Sequence, residues 1–80
     1  MAFGYEMALR QLRKRYLGKQ INLATEIGCT EAAISFWEHG RRLPSKTYQA
    51  QIFERLQSAG AQISEIENLS TAYRASAKGR

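Results

Sequence analysis

Eighty residues suffice for one domain and leave no room for a separate ligand-sensing or catalytic module. A hydrophobic fraction of 44% excludes a disordered chain, and no apolar run is long enough to span a membrane or to form the centre of a signal peptide. The net charge of +5 and pI near 9.8 suit a polyanionic partner, while a single cysteine, Cys29, excludes an internal disulfide and a cysteine-based metal cluster and fits a reducing, cytoplasmic setting.

The first predicted element runs from Tyr5 to Leu17, with Tyr5, Leu9, Leu12 and Tyr16 spaced as one helical stripe. Arg10, Arg13, Lys14, Arg15 and Lys19 make it strongly basic, and Gly18 supplies its stop. A short second helix is expected from about Gln20 to Ile27, burying Leu23, Ala24 and Ile27, and Gly28 ends it. Thr30 is a good N-cap for a third helix over about 31–39, and Glu31 in its first turn favours the positive end of the helix dipole. Gly40 closes that helix, and Arg41, Arg42, Leu43 and Pro44 form a basic connector whose proline biases Leu43 toward extended backbone. Ser45 caps a fourth helix, Lys46 to about Ser58, with Tyr48, Ile52, Phe53 and Leu56 on its buried side. After Gly60 a fifth helix begins near Gln62, carries Ile63, Ile66, Leu69 and Tyr73 on one stripe, and frays into a flexible basic tail at 74–80. Neither strand alternation nor an internal repeat appears. The expected fold class is all-α, with five short helices in a single domain over 1–80.

Two short helices that meet across a tight glycine-containing turn at about 20–39 have the layout of a helix-turn-helix, in which the second helix enters the major groove of DNA. At roughly 100° per residue, Ile34 and Trp37 define the buried face of that reader helix, and Ala32, Ser35 and Phe36 lie on the far side with Glu31 at its flank. The far side holds no Lys or Arg, which suits close approach to base edges more than charge neutralisation. Ala32 and Phe36 match thymine methyl groups, Glu31 a cytosine amino group, and Ser35 either a base or a phosphate. Simpler roles compete: Glu31 as a helix-start charge, Phe36 as cover beside the fourth helix or between subunits. Trp37 is read as core. Lys19, Arg41, Arg42 and Lys46 flank the reader as phosphate-neutralising residues or as solvated surface. The backbone N–H groups that start the second helix, at Gln20, can hold a phosphate. His39, at the end of the reader, either bonds phosphate or favours the negative helix end.

The pattern Gln20, Leu23, Ala24, Ile27, Gly28, Cys29, Thr30, Ile34, Ser35, Trp37, Glu38, Gly40, Arg42, Pro44 and Ser45 resembles the lambda-repressor/Cro-like family of regulators, also called the xenobiotic-response-element family. The resemblance covers about Leu9 to Leu56 and implies a lambda-repressor-like fold. It implies Thr30, Glu31, Ala32, Ser35 and Phe36 as the base-reading set, and Gln20 touching the DNA backbone while supporting the reader. It also implies a partly buried ion pair between Arg13 and Glu38 that ties the first helix to the third. Ile21 and Asn22 depart from the family pattern, which usually has charged or polar residues there, so Ile21 is expected under another helix, the C-terminal segment or a partner chain.

These readings predict a sequence-specific, double-stranded-DNA-binding transcriptional repressor that works as a homodimer on a near-palindromic operator. Half-sites would lie about 34 Å apart. The stripe Ile63, Ile66, Leu69 and Tyr73 is either the dimer surface or packing over the domain's own core. The competing reading is an antitoxin-like or mobile-element accessory protein that binds a protein partner as well as its own operator. An enzyme is the weakest reading: catalytic, cofactor-binding and metal-ligating patterns are absent, and the lone His39 and Cys29 suggest none.

Overall fold

The computed structural model describes residues 4–78. Among these the chain is helical throughout, without strands: α1 (Tyr5–Leu12), α2 (Gln20–Ile27), α3 (Glu31–Glu38), α4 (Lys46–Ser58) and α5 (Ile63–Lys78). Its five α-helices, without a strand among the described residues, give the all-α class expected from the periodicity and fit the lambda-repressor-like fold that the resemblance implies.

The stripe of the first helix buries Tyr5, Leu9 and Leu12, and Tyr16 packs against the core from its edge. The last turn is not α-helical, however. Arg13–Leu17 form a π-helical turn, closed where the Gly18 N–H donates to the Arg13 carbonyl at 2.9 Å, and Gly18 then leaves with φ 80°. The wider turn coincides with two lateral attachments: Arg13 is drawn inward to Glu38, and Tyr16 and Arg15 reach Glu65 of α5. Hydrophobic spacing does not register such a local change of pitch.

α2 ends at Gly28 in the left-handed conformation, φ 75° and ψ 34°, and the Cys29 N–H returns to the Ala24 carbonyl at 3.0 Å. The Gly28 N–H donates to the same carbonyl, so two successive N–H groups converge on one oxygen as the chain turns sharply into α3. The Thr30 hydroxyl accepts from the Ala33 N–H at 3.1 Å, and Ser45 caps α4 through the Tyr48 N–H at 3.2 Å.

The helices close around Leu9, Leu23, Ile34, Ile52, Leu56 and Leu69, all fully buried, with Trp37 and Ile27 completing the layer. Each such side chain contributes about 1.5–3 kcal/mol relative to exposure. Trp37 packs on Tyr48 at 5.5 Å between ring centroids, so the tryptophan is core. On α4, Ile52 and Leu56 are buried as expected, Tyr48 and Phe53 are half-buried, and Gln49 is buried instead. The reason is a polar contact no local pattern announces: the Tyr5 hydroxyl donates to the Gln49 side-chain carbonyl.

Two expectations for the chain's later part need correction. The segment 74–78, read as a flexible tail, continues α5 as far as Lys78, because Ala72, Ala75 and Ala77 are strong helix formers; residues 79–80 lie outside the described ones. The apolar stripe of α5 is not one surface: Leu69 is fully buried, Ile66 and Tyr73 pack against the core, and Ile63 is 73% exposed. Tyr73 meets Tyr5 edge-on at 5.5 Å and donates to the Pro44 carbonyl at 2.7 Å. Ile21, expected under another helix, the C-terminal segment or a partner chain, is 47% exposed in the single chain, so neither of the first two covers it.

Candidate nucleic-acid interface

α3 is held from behind by its apolar face, where Ile34 and Trp37 point into the core. It is also held by a charge. Glu38 accepts from Arg13 at both oxygens, Nε to Oε2 at 2.5 Å and Nη2 to Oε1 at 2.9 Å, and the two side chains are only 1% and 7% exposed. Arg13 spends a further N–H on the Gly18 carbonyl at 2.7 Å, the last residue of the first helical segment's turn. Gln20, at the first position of α2, donates its side-chain amide to Glu38 Oε1 at 3.0 Å. One carboxylate on α3 therefore ties the reader both to the π-helical turn, through Arg13, and to α2, through Gln20. Burial, then Tyr73, then the Glu38 charge push the nearby Tyr5 phenol far above its ordinary range, so it stays a neutral donor.

The outward side of α3 carries Glu31, Ala32 and Phe36, all exposed, with Ser35 half-buried between them and the exposed cap Thr30 at the helix start. Among residues 31–38 it holds no cation. Phe36 is 40% exposed, and the Arg42 guanidinium lies over its ring at 5.7 Å from the centroid. His39 is exposed, and its Nδ1 donates to the Ser35 carbonyl at 2.7 Å, so this ring caps the end of α3.

The four cations expected on phosphates sit at element ends: Lys19 before α2, Arg41 and Arg42 after α3, Lys46 at the start of α4, all exposed. The Lys19 position gives α2 no side-chain cap, whereas Thr30 and Ser45 cap α3 and α4. The first N–H groups of α2 thus keep donor capacity next to a lysine, an arrangement suited to a phosphate.

Two features of this region escaped sequence reasoning. Phe36 and Arg42 were assigned to different tasks, and their contact depends on the path after Gly40, which no helical spacing encodes. The clamp of Tyr16 and Arg15 on Glu65 links residues about fifty positions apart, at 2.5 and 2.8 Å. The Tyr16 hydroxyl and the Gln62 N–H hold the Glu65 carboxyl below its ordinary range, and in return the Tyr16 and Arg15 groups are raised. Cys29 is half-buried, and burial pushes its thiol up. Among the described residues no group of three or more His, Cys, Asp and Glu is placed to hold a metal ion, and no helix is long and apolar enough to cross a membrane.

No curated protein and no solved structure gives a significant match to the chain. A family model does: residues 9–56, more than half the chain, match the model described as helix-turn-helix. The match brackets the turn at Gly28, the reader α3 and the clamp at Glu38, and its type is that of Cro and C1 regulators. The chain belongs to the helix-turn-helix family of DNA-binding transcriptional regulators, which are not enzymes.

Proposed function

We propose that this regulator is a sequence-specific repressor that reads the major groove with α3, as a homodimer on a near-palindromic operator. The observation that carries the reading is the division of α3: Ile34 and Trp37 are buried, Phe36 is 40% exposed, and no cation stands among residues 31–38. A surface built only to coat nucleic acid would put Lys and Arg there. Thr30, Glu31, Ala32, Ser35 and Phe36 contact base edges, with Ala32 and Phe36 against thymine methyl groups. Lys19, Arg41, Lys46, His39 and the α2 start at Gln20 contact phosphates. Gln20 combines this with support of the reader through Glu38. Homodimerisation uses the exposed side of α5 around Ile63, because Leu69 has no surface left to offer a second subunit.

Selection of bound duplexes from a random DNA pool tests the proposal. An enriched inverted repeat with half-site centres about 34 Å apart is expected. A pool that yields no enriched sequence overturns specific reading, and an enriched single half-site overturns the dimer.

The exposure of Ile21 at 47% and Ile63 at 73% favours a second reading, an antitoxin-like or mobile-element accessory protein with an apolar surface for another protein. A stoichiometric complex with the product of a neighbouring gene would support it, and the same pair left unchanged by Ile21→Ser and Ile63→Ser would remove its basis.

A further inference from the structure

We propose that Arg42 reads a base: held over the Phe36 ring, its guanidinium takes a guanine that neighbours the thymine whose methyl group meets the Phe36 ring. The inference rests on the major-groove reading of α3 above and adds to it a specificity residue from outside the helix.

The reader itself holds no Lys or Arg over 31–38, so a cationic contact to guanine has to come from another segment. The chain after α3 supplies one. Gly40 turns with φ 72°, and the Arg41 N–H donates back to the Phe36 carbonyl at 3.0 Å, which holds the emerging segment against the helix it has just left. On its far side the segment is pinned by Pro44, fully buried, whose carbonyl accepts from Tyr73 at 2.7 Å. Arg42 therefore sits on a strap tied at both ends. Its guanidinium lies 5.7 Å from the centroid of the Phe36 ring, within cation–π range.

An aromatic ring attracts the guanidinium charge without offering a conventional hydrogen-bond acceptor, so the N–H fork remains for other partners. That is the requirement for bidentate donation to guanine O6 and N7, the commonest specific arginine contact in the major groove. A phosphate contact asks only for a charge, which a long side chain supplies without an aromatic support. Holding the arginine on Phe36 before DNA arrives also limits the rotamer freedom lost on binding. Phe36 then serves two ends, with its exposed edge toward a thymine methyl group and its face under Arg42.

The test compares the full chain with its Arg42→Gln variant in duplex selection and in affinity measured against salt. For the unaltered chain, each selected half-site should contain a guanine beside a thymine. Arg42→Gln should lose that guanine preference by about 5- to 150-fold, or redirect it to adenine, which glutamine contacts bidentately, while the other positions stay selected. Replacing the guanine by 7-deazaguanine should weaken the unaltered chain and leave the variant unaffected. Phe36→Leu, which keeps apolar contact but removes the ring face, should loosen the guanine preference as well. Both positions are exposed, and an unchanged thermal transition verifies that each variant folds. If Arg42→Gln selects the same sequences and only flattens the salt dependence, Arg42 neutralises a phosphate and the inference falls by itself. If neither protein enriches any sequence, specific reading fails and takes the inference with it.

Discussion

Glu38 carries a charge with 1% of its side chain exposed, so what it costs depends on how its two oxygens are satisfied. Arg13 and Gln20 between them occupy both. Such a buried pair contributes less than its geometry suggests, because removing both charges from water offsets most of their attraction. Breaking it from one side is another matter, since the remaining guanidinium stays buried without its counter-charge. Glu38→Gln should therefore lower stability by about 3–5 kcal/mol in urea unfolding, and a paired Arg13→Met, Glu38→Met replacement should recover most of that loss. A single substitution within about 0.5 kcal/mol of the unaltered chain would mean the pair is better hydrated than its burial indicates. The family resemblance over about Leu9 to Leu56 points to this pair, because it implies both positions. The resemblance also implies that Gln20 supports the reader, but its particular partner Glu38, and the Tyr5–Gln49 hydrogen bond, lie between residues whose separation along the chain carries no period.

Elements were legible where their signals are local. Thr30 and Ser45 cap the helices they precede, and α2 and α4 begin and end where their periodicity and glycines put them. Gly28 shows how local the rule is. A Cβ built there meets nothing within 4 Å, so the only constraint is its φ of 75°. Gly28→Ala should thus cost about 1–2 kcal/mol through the left-handed backbone alone, and Gly28→Asn less, as unfolding of the two variants would show. Equal losses for both would indicate crowding instead. α5 was less legible because the basic residues Arg74 and Lys78 of its last turns outweighed the alanines beside them, and because its attachment is remote. Glu65 ties it to the π-helical turn through Tyr16 and Arg15. With the folded carboxyl held below its ordinary range, chiefly by the Tyr16 hydrogen bond, the ionised form is the one that stabilises. That contribution is present above the unfolded value of about 4.3 and disappears as pH falls from there through the lowered folded value. The melting temperature of Glu65→Gln should accordingly lie below that of the unaltered chain at pH 7, and the gap should narrow below about pH 4.3. A gap that persists unchanged into acid would assign the effect to packing.

Over the whole molecule, the charge of +5 was readable from composition, but composition does not say which cations face the reader. The fold assigns places: Lys19, Arg41 and Lys46 at the termini of α2, α3 and α4, and Arg74 on α5, which packs along α1. If the first three meet phosphates, each releases condensed counterions on binding, and affinity depends on salt through their number rather than through sequence. Each of Lys19→Ala, Arg41→Ala and Lys46→Ala should then make the slope of log affinity against log salt shallower by about 0.9 per subunit, with the preferred sequence unchanged. Arg74→Ala removes the same charge from the chain but belongs to the helix proposed for the subunit contact, so it should leave the slope as it was. Binding titrations of the selected duplex between about 50 and 200 mM salt cover the range in which such slopes are measured. Equal flattening by all four would make the effect one of net charge, and the arrangement of cations around α3 would lose its meaning. Flattening by the first three alone would fix the orientation of the domain on the duplex, with the N-terminus of α2 and the end of α3 on the backbone and the exposed, cation-free side of α3 turned to the bases.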